Sequence, residues 1–156
     1  TPENKGFLSP ADGKVVQIID LEDEEIGSAR QISIFLSIFN VHSQRVPISS
    51  KVISKQYQPG NFLVAFNHKA STDNEHIAVL FETENGKRYK IKQIAGFIAR
   101  RILNYMVPEN LVQRGQRLGF IRFGSRVDII LPRDFQIDVS LGDMVQGNKT
   151  IIGQFQ

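Results

Sequence analysis

The chain alternates short apolar runs with small polar breaks. From Gln31 to Asn40, Ile32, Ile34, Leu36 and Ile38 alternate with Ser33, Phe35, Ser37 and Phe39, the two-residue period of a buried strand. Lys14–Ile19, Lys51–Tyr57, Ile77–Glu82, Arg88–Gln93, Leu118–Phe123 and Val127–Leu131 read as further strands, with short ones at Ile137–Val139 and Thr150–Gly153. Glu84-Asn85-Gly86 between two β runs is a hairpin signal. Ser9-Pro10-Ala11-Asp12-Gly13 is a tight turn, because proline fixes φ and Asp-Gly suits the reversal. Asp20–Ser28, with Glu22, Asp23, Glu24 and Glu25 in succession, reads as a solvated acidic loop. Asn61–Ala70 is too short in apolar residues to assign. In Ile94–Met106 a helix competes, since Ile94, Ile98 and Ile102 recur every four residues; Gly96 and the flanking β runs favour an irregular strand. Short strands and glycine turns at this spacing predict a mainly β fold, a barrel or sandwich with short helical or irregular insertions. One domain spanning residues 1–156 is the simplest organisation.

Composition narrows the chemistry. The 156 residues are 41% hydrophobic and 22% charged, with a net charge of +3, as in an ordinary globular domain. There is no cysteine, which excludes disulfides, thiolate zinc sites and a cysteine nucleophile. The three histidines, His42, His68 and His76, form no metal-ligand spacing, so no metal is expected. No glycine-rich phosphate loop is present. Arg100, Arg101, Arg114, Arg117, Arg122, Arg126 and Arg133 crowd the later part of the chain. Most are expected on a solvated surface, a minority facing an anionic substrate or lipid surface. No aromatic residues interleave with them to make a nucleic-acid platform. No apolar run approaches the roughly 18 residues of a spanning helix, and no signal peptide is visible; a membrane-binding segment upstream of Thr1 stays open.

One stretch invites chemistry: Arg122-Phe123-Gly124-Ser125-Arg126-Val127-Asp128, between two predicted strands. Gly124-Ser125 reads as a turn or bulge, or as a peptide bond whose glycine carbonyl is open to the neighbouring hydroxyl. Gly27-Ser28 repeats the dipeptide in the acidic segment and is expected to stay uncut. His42 ends an apolar run before Pro47 and is either a hydrogen-bonded structural residue or a side chain emerging into a cleft. Asp12 either bonds its own turn or orients a histidine towards a serine, with Ser125 in a suitable place. His68 and His76 lie in a polar stretch and are expected at the surface.

Taken together, several pieces resemble the phosphatidylserine decarboxylases in their short bacterial and archaeal form. They are Ser9-Pro-Ala-Asp-Gly-Lys-Val-Val16, Phe39-Asn-Val-His42 with Arg45 and Pro47, Lys69-Ala70 with Asn74-Glu75, Gln93-Ile-Ala-Gly96, Ala99-Arg-Arg-Ile102, Gly115-Gln-Arg-Leu-Gly119, Ile121–Asp128, and Gly142-Asp143 through Ile152-Gly153. There are departures: Phe123-Gly-Ser-Arg126 stands where longer members carry Leu-Gly-Ser-Thr, the His42 loop holds one histidine rather than two, and Asn74-Glu75-His76 stands where Asn-Glu-Arg is usual.

The resemblance implies a precursor that cuts itself between Gly124 and Ser125, giving a β chain of residues 1–124 and an α chain of residues 125–156. Ser125 becomes a pyruvoyl group, the electron sink of the decarboxylation, and His42, oriented by Asp12, acts as base and later as acid. The implied substrate is phosphatidylserine, the product phosphatidylethanolamine, and the location the cytoplasmic side of the cell membrane, peripherally bound; self-association is left open. Another serine-headed lipid such as archaetidylserine is an alternative substrate. A different alternative is a non-catalytic carrier of the barrel-sandwich hybrid type, which Ser9–Val16 and Gly142–Gly153 also resemble, although Lys149 lacks the Met-Lys-Met context of a carrier lysine.

Overall fold

A computed structural model describes residues 6–36, 43–61, 67–96 and 101–156. The mainly β expectation holds. The principal sheet has eight strands, in the order β13-β2-β3-β11-β7-β6-β5-β9, and every neighbouring pair is antiparallel. Its members are β2 (Gly13–Asp23), β3 (Gly27–Phe35), β5 (Ser50–Gln58), β6 (His76–Thr83), β7 (Arg88–Ile94), β9 (Leu111–Val112), β11 (Arg126–Pro132) and β13 (Met144–Val145). A three-stranded sheet joins β4 (Gln44–Arg45), β10 (Arg117–Ile121) and β8 (Ile102–Asn104); another joins β1 (Phe7–Leu8), β14 (Ile151–Gln154) and β12 (Gln136–Ile137).

The alternation seen in the sequence builds the core. Ile32, Ile34 and Leu36 on β3 and its exit, Val127, Ile129 and Leu131 on β11, Val79 and Phe81 on β6, and Tyr89 and Ile91 on β7 are all buried on one face. An aromatic cluster ties the β1-β14-β12 sheet to this face. The Phe7 ring meets Tyr89 edge-on at 5.0 Å and Phe135 at 5.5 Å, and Phe81 stacks on Tyr89 at 4.9 Å, separations at which aromatic pairs attract beyond simple burial. β11 lies between β3 and β7, β13 edges β2, and β14 runs between β1 and β12. The last 32 residues are thus threaded through all but the β4-β10-β8 sheet.

One expectation needs correction. The acidic segment is not a loop: β2 continues to Asp23 and β3 starts at Gly27, so only the hairpin turn remains irregular. A strand here is possible because the carboxylates find partners, with Lys90 Nζ 2.9 Å from Asp23 and 2.8 Å from Glu25. In the competing segment the strand reading holds at β8, and residues 97–100 lie outside the described part. Asn61–Ala70 leads into a single helical turn, α1 (Ala70–Asp73); residues 62–66 are not described.

Burial alone would push the Asp23 carboxyl up and the Lys90 ammonium down. Their hydrogen bond, with Glu25 also bonding Lys90 and the Glu25 and Ile26 amides bonding Asp23, moves both the other way: Asp23 below and Lys90 above its ordinary value. The depressed Asp23 value means a stabilisation complete above the unfolded carboxylate value of about 4 and lost as pH falls through the lowered folded value. The raised Lys90 value means a stabilisation complete below about pH 10 and lost as pH rises through the raised folded value. Lys90→Met is therefore expected to cost stability near neutral pH and progressively less towards about pH 3, read as urea midpoints across that range; a pH-independent difference would contradict the ion-pair account.

Candidate active site

Ser125 stands at the entrance to β11 and is fully buried. Gly124 before it has φ +81°, while Phe123 is not among the positive-φ residues. A positive φ at the third position of the Arg122–Ser125 turn is the type II pattern, which favours glycine there. Leu36, the residue following β3, brackets the Gly124–Ser125 peptide. Its carbonyl accepts the Gly124 N–H, and its own N–H donates to the Ser125 carbonyl at 3.0 Å. The Ser125 hydroxyl donates to the Arg122 carbonyl. The Gly124–Ser125 peptide is thus held on both sides by one residue of the neighbouring strand, and the Ser125 hydroxyl is turned back into its own turn.

Asp12 approaches from the other side of β3. Lys14 pairs with Phe35 and Phe35 with Arg126, so the row one residue further carries Gly13, Leu36 and Ser125. Two strand spacings, about 10 Å, separate the backbone beside Asp12 from Ser125. The approach of the turn to β3 depends on Gly13, where a Cβ would stand 2.4 Å from the Phe35 carbonyl oxygen. Asp12 accepts the Gly147 N–H through Oδ1 and lines a cleft of about 270 Å³ with Ser43, Arg45, Gln146, Gly147, Asn148 and Lys149. A larger cleft of about 630 Å³, including Thr83, Glu84, Arg114 and Phe155, opens at the β6–β7 hairpin, the far end of β7 from the Ile94–Arg126 pair. The proposed base, His42, lies outside the described residues. Its neighbour Gln44 is fixed in a buried amide cluster: Gln93 Nε2 donates to Gln44 Oε1 at 3.0 Å, and Asn104 Nδ2 donates to Gln93 Oε1 at 2.7 Å. Gln44 also pairs with Gly119 on β10, the strand that leads into the Arg122 turn.

Sequence reasoning did not find what lies on the opposite face of the sheet. Arg126 is fully buried there. Its Nε donates to Asp128 Oδ1 at 2.9 Å, and Nη2 donates to Gln17 Oε1 at 2.6 Å and Ser33 Oγ at 2.7 Å. Nη1 lies 3.1 Å from His68 Nδ1, so His68, though exposed, caps the network. Asp128 Oδ2 is buried and has no hydrogen-bond partner among the described residues. The signal in the sequence was Gln17, Ser33, Arg126 and Asp128 at alternate strand positions, polar where a solvated face would also be polar. His76 is half-buried rather than at the surface; burial lowers its pKa, partly offset by the hydrogen bond between Nδ1 and the Asn74 carbonyl.

Fold and site define a β-sheet protein whose candidate reactive element is one of its own peptide bonds. The chain belongs to the phosphatidylserine decarboxylase family, whose model matches residues 1–153. Among its relatives is a phosphatidylserine decarboxylase proenzyme of Desulfotalea psychrophila, 45% identical over 150 residues, covering 95% of this chain and 70% of the relative. That of Geotalea daltonii is 43% identical over 155 residues, covering 98% and 73%, and that of Syntrophus aciditrophicus 45% identical over 158 residues, covering 99% and 74%.

The buried network carries its own test. Arg126→Met leaves the buried Asp128 carboxyl without its guanidinium partner, a change expected to cost about 3–5 kcal/mol, whereas Arg126→Met with Asp128→Leu is expected to recover most of it. Denaturant unfolding of the three proteins in a Ser125→Ala background, which keeps the chain intact, measures the difference; equal losses in the single and double variants would overturn the pairing.

Proposed function

We propose that this chain is the precursor of a phosphatidylserine decarboxylase that cuts itself between Gly124 and Ser125 and converts the serine to a pyruvoyl group. The observation that carries the reading is the hold of Leu36 on both sides of that peptide, with a left-handed glycine on one side and a buried serine on the other. Ser125 Oγ attacks the Gly124 carbonyl carbon; the C–N bond breaks, the Ser125 nitrogen takes a proton, and an ester joins the two residues. Loss of the Ser125 Cα proton with cleavage of Cβ–Oγ releases the Gly124 carboxylate and leaves dehydroalanine. Water then replaces its nitrogen, ammonia departs, and residue 125 ends as the pyruvoyl terminus of the 125–156 chain.

The hydroxyl proton must leave the Arg122 carbonyl for a base. His42 takes that role, oriented by Asp12, whose turn sits one strand away from Leu36. The residues present suit the group: the Ser125 carbonyl is already fixed by the Leu36 N–H, and the serine is shielded from solvent. Once formed, the ketone supplies the electron sink for loss of the serine carboxylate as carbon dioxide. Burial of the site favours that loss, because the charge on the carboxylate disappears as it reacts.

The substrate is a bilayer lipid, so the protein works at a membrane surface. No helix among the described residues is long and apolar enough to cross one. Leu141 and Met144, 63% and 64% exposed, lie near the Asp12 cleft with Lys14 paired to Met144, the mix of apolar and cationic groups suited to an anionic lipid surface.

Intact-mass analysis under denaturing conditions is expected to show two chains meeting at Gly124/Ser125, the smaller one reacting with hydroxylamine. Ser125→Ala should stay whole. His42→Ala and Asp12→Asn should slow cutting by about 10²-fold or more, the loss expected for a general base and its orienting partner. A wild-type chain that stays intact on incubation would sink the reading.

A further inference from the structure

The Asp12 cleft contains two cations that the processing chemistry does not use. Arg45 is half-buried on β4. Its backbone N–H is committed to the Pro10 carbonyl at 2.8 Å, which pins the side chain's base beside the Asp12 turn. Of its guanidinium donors, Nη1 reaches the Gly115 carbonyl at 3.2 Å, and the others meet no acceptor among the described residues. Lys149 lines the same cleft, exposed, with no carboxylate partner among the described residues. The one carboxylate of the cleft, Asp12, is drawn towards the Gly147 N–H. A guanidinium with a free fork beside a second cation is an arrangement for a tetrahedral oxyanion.

Resting on the decarboxylase reading above, we infer that Arg45 and Lys149 bind the phosphodiester of the lipid headgroup and so set which lipids react. The charge pattern of the cleft mirrors that of the substrate. The phosphate meets Arg45 and Lys149, and the serine ammonium, four bonds from phosphorus, passes Asp12 on the side facing Leu36 and Ser125. Arg114 lines the other cleft, at the β6–β7 hairpin, Arg133 is engaged with the Leu21 and Ala29 carbonyls, and Arg126 is consumed by its buried network. Arg45 is the arginine with spare donors in the cleft that also holds Asp12.

The test uses the uncleaved Ser125→Ala chain, which keeps the described geometry, with glycerophosphoserine as probe and binding followed by calorimetry or ligand NMR. Adding Arg45→Gln is expected to weaken binding at least about tenfold, the loss of one charge-assisted contact. Lys149→Gln, which removes no hydrogen bond within the fold, is expected to weaken it by about threefold or more. Arg45→Lys should restore part of the loss, since it returns the charge without the fork. Inorganic phosphate should compete with the probe, and free serine should bind equally to all variants. In the processed chain, the Arg45→Gln defect with short-chain phosphatidylserine should fall on KM rather than on kcat. Equal affinity in the Ser125→Ala parent and both Gln variants would overturn the assignment, as would an Arg45→Gln defect confined to kcat. A wild-type chain that binds the probe through Arg45 yet releases no carbon dioxide from any serine lipid would instead overturn the decarboxylase reading and leave the phosphate site standing.

Discussion

The structure turns on Leu36. A residue just beyond the end of a strand normally contributes one more rung to a ladder, but here the two rungs fall on either side of a single peptide bond. The amide of Gly124 and the carbonyl of Ser125 are tied to the same residue, so the bond between them can neither translate along the strand nor slip in register. Glycine at 124 meets this constraint because its φ of +81° is one that other residues adopt only with strain. The flanking β3–β11 ladder, running unbroken from the Arg126–Phe35 pair to the Pro132–Ala29 pair, transmits the hold to the whole sheet. The hold on the Gly124–Ser125 peptide therefore needs no separate scaffold; the register of the central strands is the scaffold.

That register has a second dependence on the face away from the main core. Arg126 adjoins Ser125, and its side chain turns to the opposite side of the sheet from Val127. There it gathers groups from β2, β3, β11 and the segment before α1. A buried guanidinium is costly unless fully bonded, and this one is met by a carboxylate, an amide oxygen, a hydroxyl and an imidazole nitrogen. The partnerless Asp128 Oδ2 marks where the arrangement is least satisfied. Burying charge next to Ser125 adds little net stability, but a slipped strand would strand the charge without partners, which penalises the wrong register strongly.

Much of the fold was legible because its interior follows strict alternation. Ile32, Ile34 and Leu36, Ile129 and Leu131, and the Glu84-Asn85-Gly86 hairpin sit where the pattern puts them. The acidic segment misled because clustered carboxylates look solvated when the lysine that neutralises them is more than sixty residues away. The same limit hid the polar network: Ser33 and Gln17 look like outward-facing positions until the second face is seen to be covered. Near the candidate site, the turn at Gly124–Ser125 was readable from its local context, and so was the Asp12 turn. The part played by Leu36 was not, because it is made by its backbone, and an apolar side chain says nothing about what its amide and carbonyl bind.

The threading of the last 32 residues through the sheet changes the kind of object the protein would become under the proposed cut. While the chain is continuous, its folding is a unimolecular event. Under the proposed opening at Gly124, the same hydrogen bonds would hold together two polypeptides, since β11 is flanked on both edges by strands of the other piece and β14 on one edge, by β1. The eight-stranded sheet and the β1-β14-β12 sheet each draw strands from both pieces: the shorter alone would lose both neighbours of its longest strand, and the longer would be left with a slot between β3 and β7. Disassembly of the mature form is then a dissociation, governed by protein concentration as well as by temperature or denaturant. Its recovery requires two fragments to meet. The proposed cut would convert the fold of one continuous chain into an assembly that dilution can undo.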